Sequence, residues 1–285
     1  MQKIFINDVF NNLKKMANNP NVVKWIIAKC LRLKINQLEL LKKVSYEDFA
    51  RMEKCVERVN SGETLSKIFG YVEFCGEFFE VTNGVFDPRL STESLVSSVT
   101  DQKPSKDMKI LDMCTGSGSV AITISKKIDM ETYGCDISED ALTIAEINNQ
   151  NLHAKSKFFK MDLKKEWASQ MPFKFDIIVS NPPYWSPEKI LSNPEVVKNN
   201  PLIAFDGGME GMDFYKIIIE NAPKFLNKGG KLFLEFEEDQ LPILNKLLSE
   251  NFKDNLVTKD YRGFKRVLST CVKENKFESN KDFFC

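Results

Sequence analysis

Four consecutive residues, Asn181-Pro182-Pro183-Tyr184, carry the most specific chemistry in this chain. Two prolines remove backbone donors and stiffen the turn, so the Asn181 side-chain oxygen and the Pro182 carbonyl are left as fixed, unfilled acceptors. Tyr184 adds a flat face for stacking. That set suits an NH2 group attached to a planar carbon, as in an amide or an adenine. The lone pair of such a nitrogen is delocalised, which makes it a poor nucleophile. Two acceptors holding both N–H groups would orient the lone pair toward an electrophilic methyl and stabilise positive charge as it develops on nitrogen. The proton can leave after transfer. The plain alternative is a proline-rich structural turn.

A second constellation lies upstream. Asp112-Met113-Cys114-Thr115-Gly116-Ser117-Gly118 joins an apolar run to the start of an apolar helix, and its two glycines allow a tight turn that a ligand can approach closely. Asp112 is placed to face the amino group of a methionine moiety. Asp136 ends the next apolar run and is placed to accept both hydroxyls of a ribose. Asp162 closes a third run, where it would accept from an adenine amino group with Leu163 packed near the ring. Each part alone is common, since an acid after a strand is often a helix cap, here with Ser138 beside it. Together they describe a cofactor-binding sheet edge, for a nucleotide or S-adenosylmethionine.

These residues need a scaffold that brings strand ends together. From Lys109 onward, β-rich runs at 109–113, 132–136, 157–162, 175–180 and 231–236 alternate with helical patterns at 117–128, 138–151 and 211–226. Such alternation implies a parallel sheet covered on both faces. The last two runs, 255–258 and 265–272, are separated by a stretch too short for a crossover and should pair antiparallel. The expected fold is therefore an α/β class I methyltransferase, a mostly parallel seven-stranded sheet with its last strand antiparallel. Residues 1–70 have apolar residues at helical spacing, as in Val23, Ile26, Ile27 and Met52, Val56, and read as a small helical domain. Alternation and aromatic density from Tyr71, with Gly76 and Asn83-Gly84 as turn signals, predict a β-hairpin linker over 71–92 before a catalytic domain at 93–285.

Composition narrows the function classes. Lys+Arg and Asp+Glu balance at 40 each, so no global field draws the chain to nucleic acid or a membrane. The lone histidine, His153, excludes multi-histidine metal sites and would have to carry a Ser-His-Asp mechanism alone. Seven widely spaced cysteines, without a Cys-x-x-Cys pair, read as reduced thiols of a cytoplasmic protein. No metal, no membrane segment and a monomeric state are expected.

The chain resembles the release factor glutamine methyltransferases of the HemK/PrmC type from about residue 58 onward. Besides Asn181 to Tyr184, the likeness rests on Gly62-Glu63-Thr64-Leu65, on Val85-Phe86-Asp87-Pro88-Arg89-Leu90-Ser91-Thr92-Glu93, on Pro201 to Gly208 with Gly211, and on Asp260 to Val267. The resemblance implies that Asn181, Pro182, Pro183 and Tyr184 hold a glutamine amide. Cys114 to Gly118, Asp136, Asp162 and Leu163 would line S-adenosylmethionine, and Phe86, Arg89 and Glu93 would lie near the substrate. The helical N-terminal domain would dock a peptide chain release factor, whose glutamine N5 receives the methyl group and leaves S-adenosylhomocysteine. Three positions depart from the family pattern: Leu90 replaces a proline, Cys114 a glycine, and Glu235-Phe236-Glu237 stands for Glu-Ile-Gly. Two rival readings are an adenine-N6 or guanine-N2 nucleic-acid methyltransferase, which would flip a base into the same turn, and a methyltransferase-like fold that only binds partners.

Overall fold

In a computed structural model of the chain, residues 3–33 and 35–273 are described. Cys285 and the end of the 93–285 segment lie outside them. The chain divides into two compact units, Met1–Tyr71 and Val72–Cys285.

The first unit holds β1 (Lys3–Phe5), α1 (Ile6–Met16), α2 (Val23–Leu31), β2 (Lys43–Ser45), α3 (Tyr46–Asn60) and α4 (Leu65–Phe69). Its core is built from the helical stripes: Val9 and Leu13, then Val23, Ile26 and Ile27, then Met52 and Val56, all buried. Ser45 caps α3 by accepting from the Asp48 N–H at 3.1 Å, which satisfies one of the orphan donors of the first turn. The short antiparallel β1–β2 ladder was not expected, because three-residue strands carry no readable period.

β3 (Tyr71–Phe74) and β4 (Glu77–Glu80) form a two-stranded sheet across the Cys75-Gly76 turn. Both turn residues have positive φ, 51° and 81°, the geometry of a two-residue hairpin whose twist matches its strands.

The remaining elements are α5 (Glu93–Thr100), β5 (Ile110–Met113), α6 (Ser119–Ile128), β6 (Thr132–Asp136), α7 (Glu139–Asn151), β7 (Ser156–Lys160), β8 (Phe175–Ser180), α8 (Pro187–Ser192), α9 (Pro194–Val197), α10 (Asp213–Phe225), β9 (Leu226–Glu235), α11 (Leu241–Leu248), β10 (Phe252–Lys259) and β11 (Lys265–Val272). The seven strands β5 to β11 form one sheet in the order β10-β11-β9-β8-β5-β6-β7, with β11 antiparallel to both neighbours and β5 to β9 parallel. This is the expected class I methyltransferase topology. Period-2 alternation distributes each central strand between two cores: Ile110, Ile177 and Val179 pack with α5 and α6, while Leu111, Met113 and Ile178 pack with α10 and α11.

The chain leaves β5 in one direction across the sheet and returns at β8 on its other side, so β5 and β8 flank the switch in strand order. Ligands of open α/β sheets bind at the carboxyl ends of the strands at such a switch. Met113 and Ser180 are register partners there, which sets the glycine turn after β5 beside the Asn181 turn after β8.

Several boundaries differ from expectation. β9 starts at Leu226 rather than Lys231, and β7 ends at Lys160, so Asp162 sits beyond the strand. Helix α5, of sequence ESLVSSVT, was missed because serines and β-branched residues favour helix weakly; burial of Leu95, Val96 and Val99 against the sheet decides it.

Candidate active site

A cavity of about 1190 Å³ opens at the carboxyl ends of β5, β6 and β8. Of the residues singled out in the sequence, Phe86, Arg89, Asp112, Cys114, Thr115, Gly116, Ser117, Asp136, Asp162, Leu163 and Asn181 to Tyr184 line it. Gly118 and Glu93 do not. A Cβ on Gly118, whose φ is +79°, would lie 2.8 Å from Ile122 Cδ1 and 3.0 Å from Ala145 Cβ, so this glycine permits close packing of α6 rather than ligand approach. Glu93 Oε1 accepts from the Cys75 N–H at 2.6 Å and ties the start of α5 to the β3–β4 turn.

On the β5–β6 side, Asp112 is buried, and its Oδ2 accepts from Thr115 Oγ1 at 2.6 Å and from the Ala121 N–H at 3.3 Å. Burial pushes its carboxyl up to about 7, against the opposing pull of those two donors. Asp136 accepts from the Gly116 N–H at 2.9 Å through Oδ2 and from the Ser138 N–H at 3.0 Å through Oδ1. Its carboxyl is also raised, by burial, with the backbone N–H groups opposing. A carboxylate offers about four acceptor positions, so each oxygen keeps room for a hydroxyl while holding the glycine turn in place. Asp162 Oδ1 accepts from the Lys164 N–H at 2.9 Å, and Leu163 is buried at the cavity floor. An acid for a cationic amine, an acid for vicinal hydroxyls and an apolar floor for a ring together fit S-adenosylmethionine.

On the β8 side, the loop at 201–211 clamps the Asn181 turn through backbone. Trp185 N–H donates to the Phe205 carbonyl at 2.8 Å, and Gly207 N–H donates to the Trp185 carbonyl at 2.9 Å. A Cβ on Gly211, at φ +67°, would lie 2.3 Å from the Tyr184 carbonyl oxygen, so no other residue fits there unstrained. Gln240 Nε2 donates to that same carbonyl at 3.0 Å. The Tyr184 ring stacks on buried Tyr215 with centroids 6.5 Å apart, and burial raises its hydroxyl well above the usual range. Phe86 meets Phe205 edge-on at 5.4 Å, and the Arg89 guanidinium lies 5.0 Å from the Phe86 ring. Among the described residues, none donates a hydrogen bond to Asn181 Oδ1, and no backbone N–H donates to the Pro182 carbonyl.

Residues 82–199 match the family model of the methyltransferase small domain. A release factor glutamine methyltransferase of Geobacter sulfurreducens is 34% identical over 260 residues, covering 90% of both chains. One from Thermodesulfovibrio yellowstonii is 33% identical and covers 90% of this chain and 94% of its own. The chain belongs to the release factor glutamine methyltransferase family. Among solved structures, the 16S rRNA N2 methyltransferase of T. thermophilus, in complex with AdoMet and guanosine, superposes with a TM-score of 0.53 at 18% identity. It covers 71% of this chain and 50% of its own, and it supports the fold.

As an S-adenosylmethionine-dependent methyltransferase, the enzyme accommodates its departures from the family pattern locally. Cys114 adopts φ +58°, a left-handed conformation in which glycine is unstrained, so the turn keeps its path with a side chain in place. Glu237 has φ −99°, which any residue adopts, and forms a capping box with Gln240 and an ion pair with Lys189. Leu90 opens a short 3-10 turn and is exposed at the cavity mouth. The sequence reading missed Thr92, which accepts from Asn181 Nδ2, and Gln240, which donates to the Tyr184 carbonyl; both are brought in from remote segments.

Proposed function

We propose that this methyltransferase transfers the methyl group of S-adenosylmethionine to the side-chain amide nitrogen of a glutamine in a peptide chain release factor. The observation that carries this is the rigid Asn181-Pro182-Pro183-Tyr184 turn, whose open acceptors share one cavity with Asp112 and Asp136 at the switch in strand order. S-adenosylmethionine supplies the methyl as a sulfonium substituent and leaves as S-adenosylhomocysteine. Asn181 Oδ1 and the Pro182 carbonyl would accept the two amide N–H groups, and the Tyr184 ring would pack on the amide plane. That pose turns the nitrogen lone pair toward the methyl donor and favours the transition state, where the nitrogen gains positive charge.

The cavity mouth favours a polypeptide over a nucleic-acid strand. Large apolar side chains stand exposed along it, namely Leu90, Leu202, Ile203 and Tyr261. Three of its five cations already face acids, Lys189 on Glu237 and both Arg262 and Arg266 on Asp260. A backbone-tracking nucleic-acid site instead presents unpaired cations to phosphates. Transfer of labelled methyl groups to a purified release factor, compared with DNA, rRNA and tRNA, tests the reading. Methylation of the release factor at one glutamine is expected, and transfer confined to a nucleic acid would overturn it.

The unit Met1–Tyr71 is the proposed docking domain for the release factor. A fragment beginning at Val72 should keep cofactor affinity by calorimetry while losing most of its kcat/KM on intact release factor. The same reading puts a monomeric enzyme in the cytoplasm. The seven widely spaced cysteines, without a Cys-x-x-Cys pair, support a reducing compartment. No helix among the described residues is long and apolar enough to cross a membrane.

A further inference from the structure

An amide side chain has an acceptor at one end and two donors at the other, so a buried glutamine can tie together backbone groups from separate segments. Gln240 does so behind the Asn181-Pro182-Pro183-Tyr184 turn. It ends the 3-10 turn Glu238–Gln240 that leads into α11, is buried, and does not line the cavity. Its Nε2 donates to the Tyr184 carbonyl at 3.0 Å and to the Gly211 carbonyl at 3.4 Å. Its Oε1 accepts from the Glu237 N–H at 3.1 Å and from the Tyr215 hydroxyl at 3.3 Å. That hydroxyl donates more closely to the Glu235 carbonyl, at 2.7 Å.

These partners fix which way the amide faces. A backbone carbonyl only accepts and a backbone N–H only donates. Flipped, Gln240 would set its oxygen against the Tyr184 and Gly211 carbonyls and its NH2 group against the Glu237 N–H, with no water at hand to repair the loss. Tyr184 is thereby held from two sides: its carbonyl directly, and its ring through Tyr215, on which it stacks with centroids 6.5 Å apart. The Gly211 carbonyl brings the 201–211 loop to the same point. A glutamine that only capped the turn before α11 would need no more than its Oε1 on the Glu237 N–H, whereas here the NH2 group is committed to the target half. We propose that Gln240 is a positioning residue for methyl transfer, whose amide sets the place of the Tyr184 ring and with it the distance from the target nitrogen to the methyl donor. This rests on the reading of the Asn181 to Tyr184 turn as the seat of the target amide.

The test uses the full chain with Gln240→Met and Gln240→Glu, with kcat referred to the fraction of protein that binds cofactor, so that lost stability alone does not register. Gln240→Met keeps the reach of the side chain and removes both ends of the bridge. It should lower kcat by about 10- to 100-fold, the scale of a misplaced reacting group, and leave the affinity for S-adenosylmethionine at the wild-type value. In Gln240→Glu the acceptor stays, but the carboxyl can donate to the Tyr184 carbonyl only while protonated. Its kcat relative to the wild type at the same pH should therefore rise as pH falls. The other charged or titratable groups around Tyr215 are Tyr184, Glu235, Glu237 and Arg266, which both proteins share. Wild-type kcat in Gln240→Met, or an equal loss in the two variants at every pH, overturns the proposal.

An independent readout needs no substrate. Trp185 is the only tryptophan that follows a tyrosine, so isotope labels on tyrosine carbonyl carbons and tryptophan nitrogens single out the Tyr184–Trp185 peptide group in an NMR spectrum. Its signal should shift in Gln240→Met, because the carbonyl loses its donor, and in Gln240→Glu it should return toward the wild-type position as pH falls. A signal that stays in place in Gln240→Met overturns the proposal. Should the wild type leave release factors unmethylated, the proposed substrate falls while the peptide signal still decides whether Gln240 holds the turn.

Discussion

The two halves of the cavity are built differently. The half proposed to hold the cofactor comes from consecutive strand ends, β5, β6 and the segment after β7, and its acids are held by neighbours in sequence: Asp112 by Thr115 and Ala121, Asp136 by Ser138 and Gly116. The target half is assembled from remote segments. Asn181 is held by Thr92, the Tyr184 carbonyl by Gln240, and Trp185 by Phe205. Binding a nucleoside needs a local cradle, whereas orienting a delocalised nitrogen needs several groups fixed from different directions. The first should tolerate change to the second, and the reverse.

The sharpest break of that comparison is Asn181→Ala. It should lower kcat by about 100- to 1000-fold, the usual cost of losing one preorganised charge-stabilising contact, while calorimetry finds the cofactor affinity unchanged. Asn181→Asp keeps an acceptor oxygen and should retain part of the activity. Equal loss in both variants would make the turn structural instead.

Gly211→Ala probes the clamp. Its Cβ would meet the Tyr184 carbonyl at 2.3 Å with φ at +67°. Strain and overpacking together should cost on the order of 3 kcal/mol in denaturant unfolding. kcat should fall with little change in cofactor affinity, because the displaced backbone belongs to the target half.

Asp112 should make the cofactor half sensitive to pH. Its carboxyl is raised from 3.8 to about 7, so the folded state binds more protons than the unfolded chain between those values. Stability of the cofactor-free protein should therefore fall as pH rises across that window. Affinity for S-adenosylmethionine should move the other way, gaining roughly tenfold per pH unit below 7 at most, because the cationic amine favours the ionised acid. Asp112→Asn should flatten both trends, and a flat wild-type affinity between pH 6 and 8 would remove Asp112 as the partner of the amine.

The smallest effect is expected at Cys114. Relief of its left-handed strain in Cys114→Gly should raise stability by at most about 1 kcal/mol, since glycine also costs entropy on folding. Methyl transfer should be unchanged. A large change in cofactor affinity would mean that the thiol itself shapes the cradle.

Sequence periodicity was enough for the sheet and for the strand-end acids that line the cavity. Runs at 132–136, 175–180 and 265–272 coincide with β6, β8 and β11, whose β-branched, aromatic and small residues are mostly buried. Asp112, Asp136 and the Asn181 turn were legible because each ends such a run, where α/β sheets place ligands. What only tertiary structure decided is how those groups are held and which way they face. Gly118 sits in the same turn as Gly116, yet packing against Ile122 and Ala145 gives it a structural part. Glu93 carries a carboxylate suited to a substrate, yet it braces the β3–β4 turn, while its neighbour Thr92 reaches Asn181. Local sequence specifies which groups a segment can offer; the direction of a buried hydrogen bond depends on protons and lone pairs brought from elsewhere in the chain.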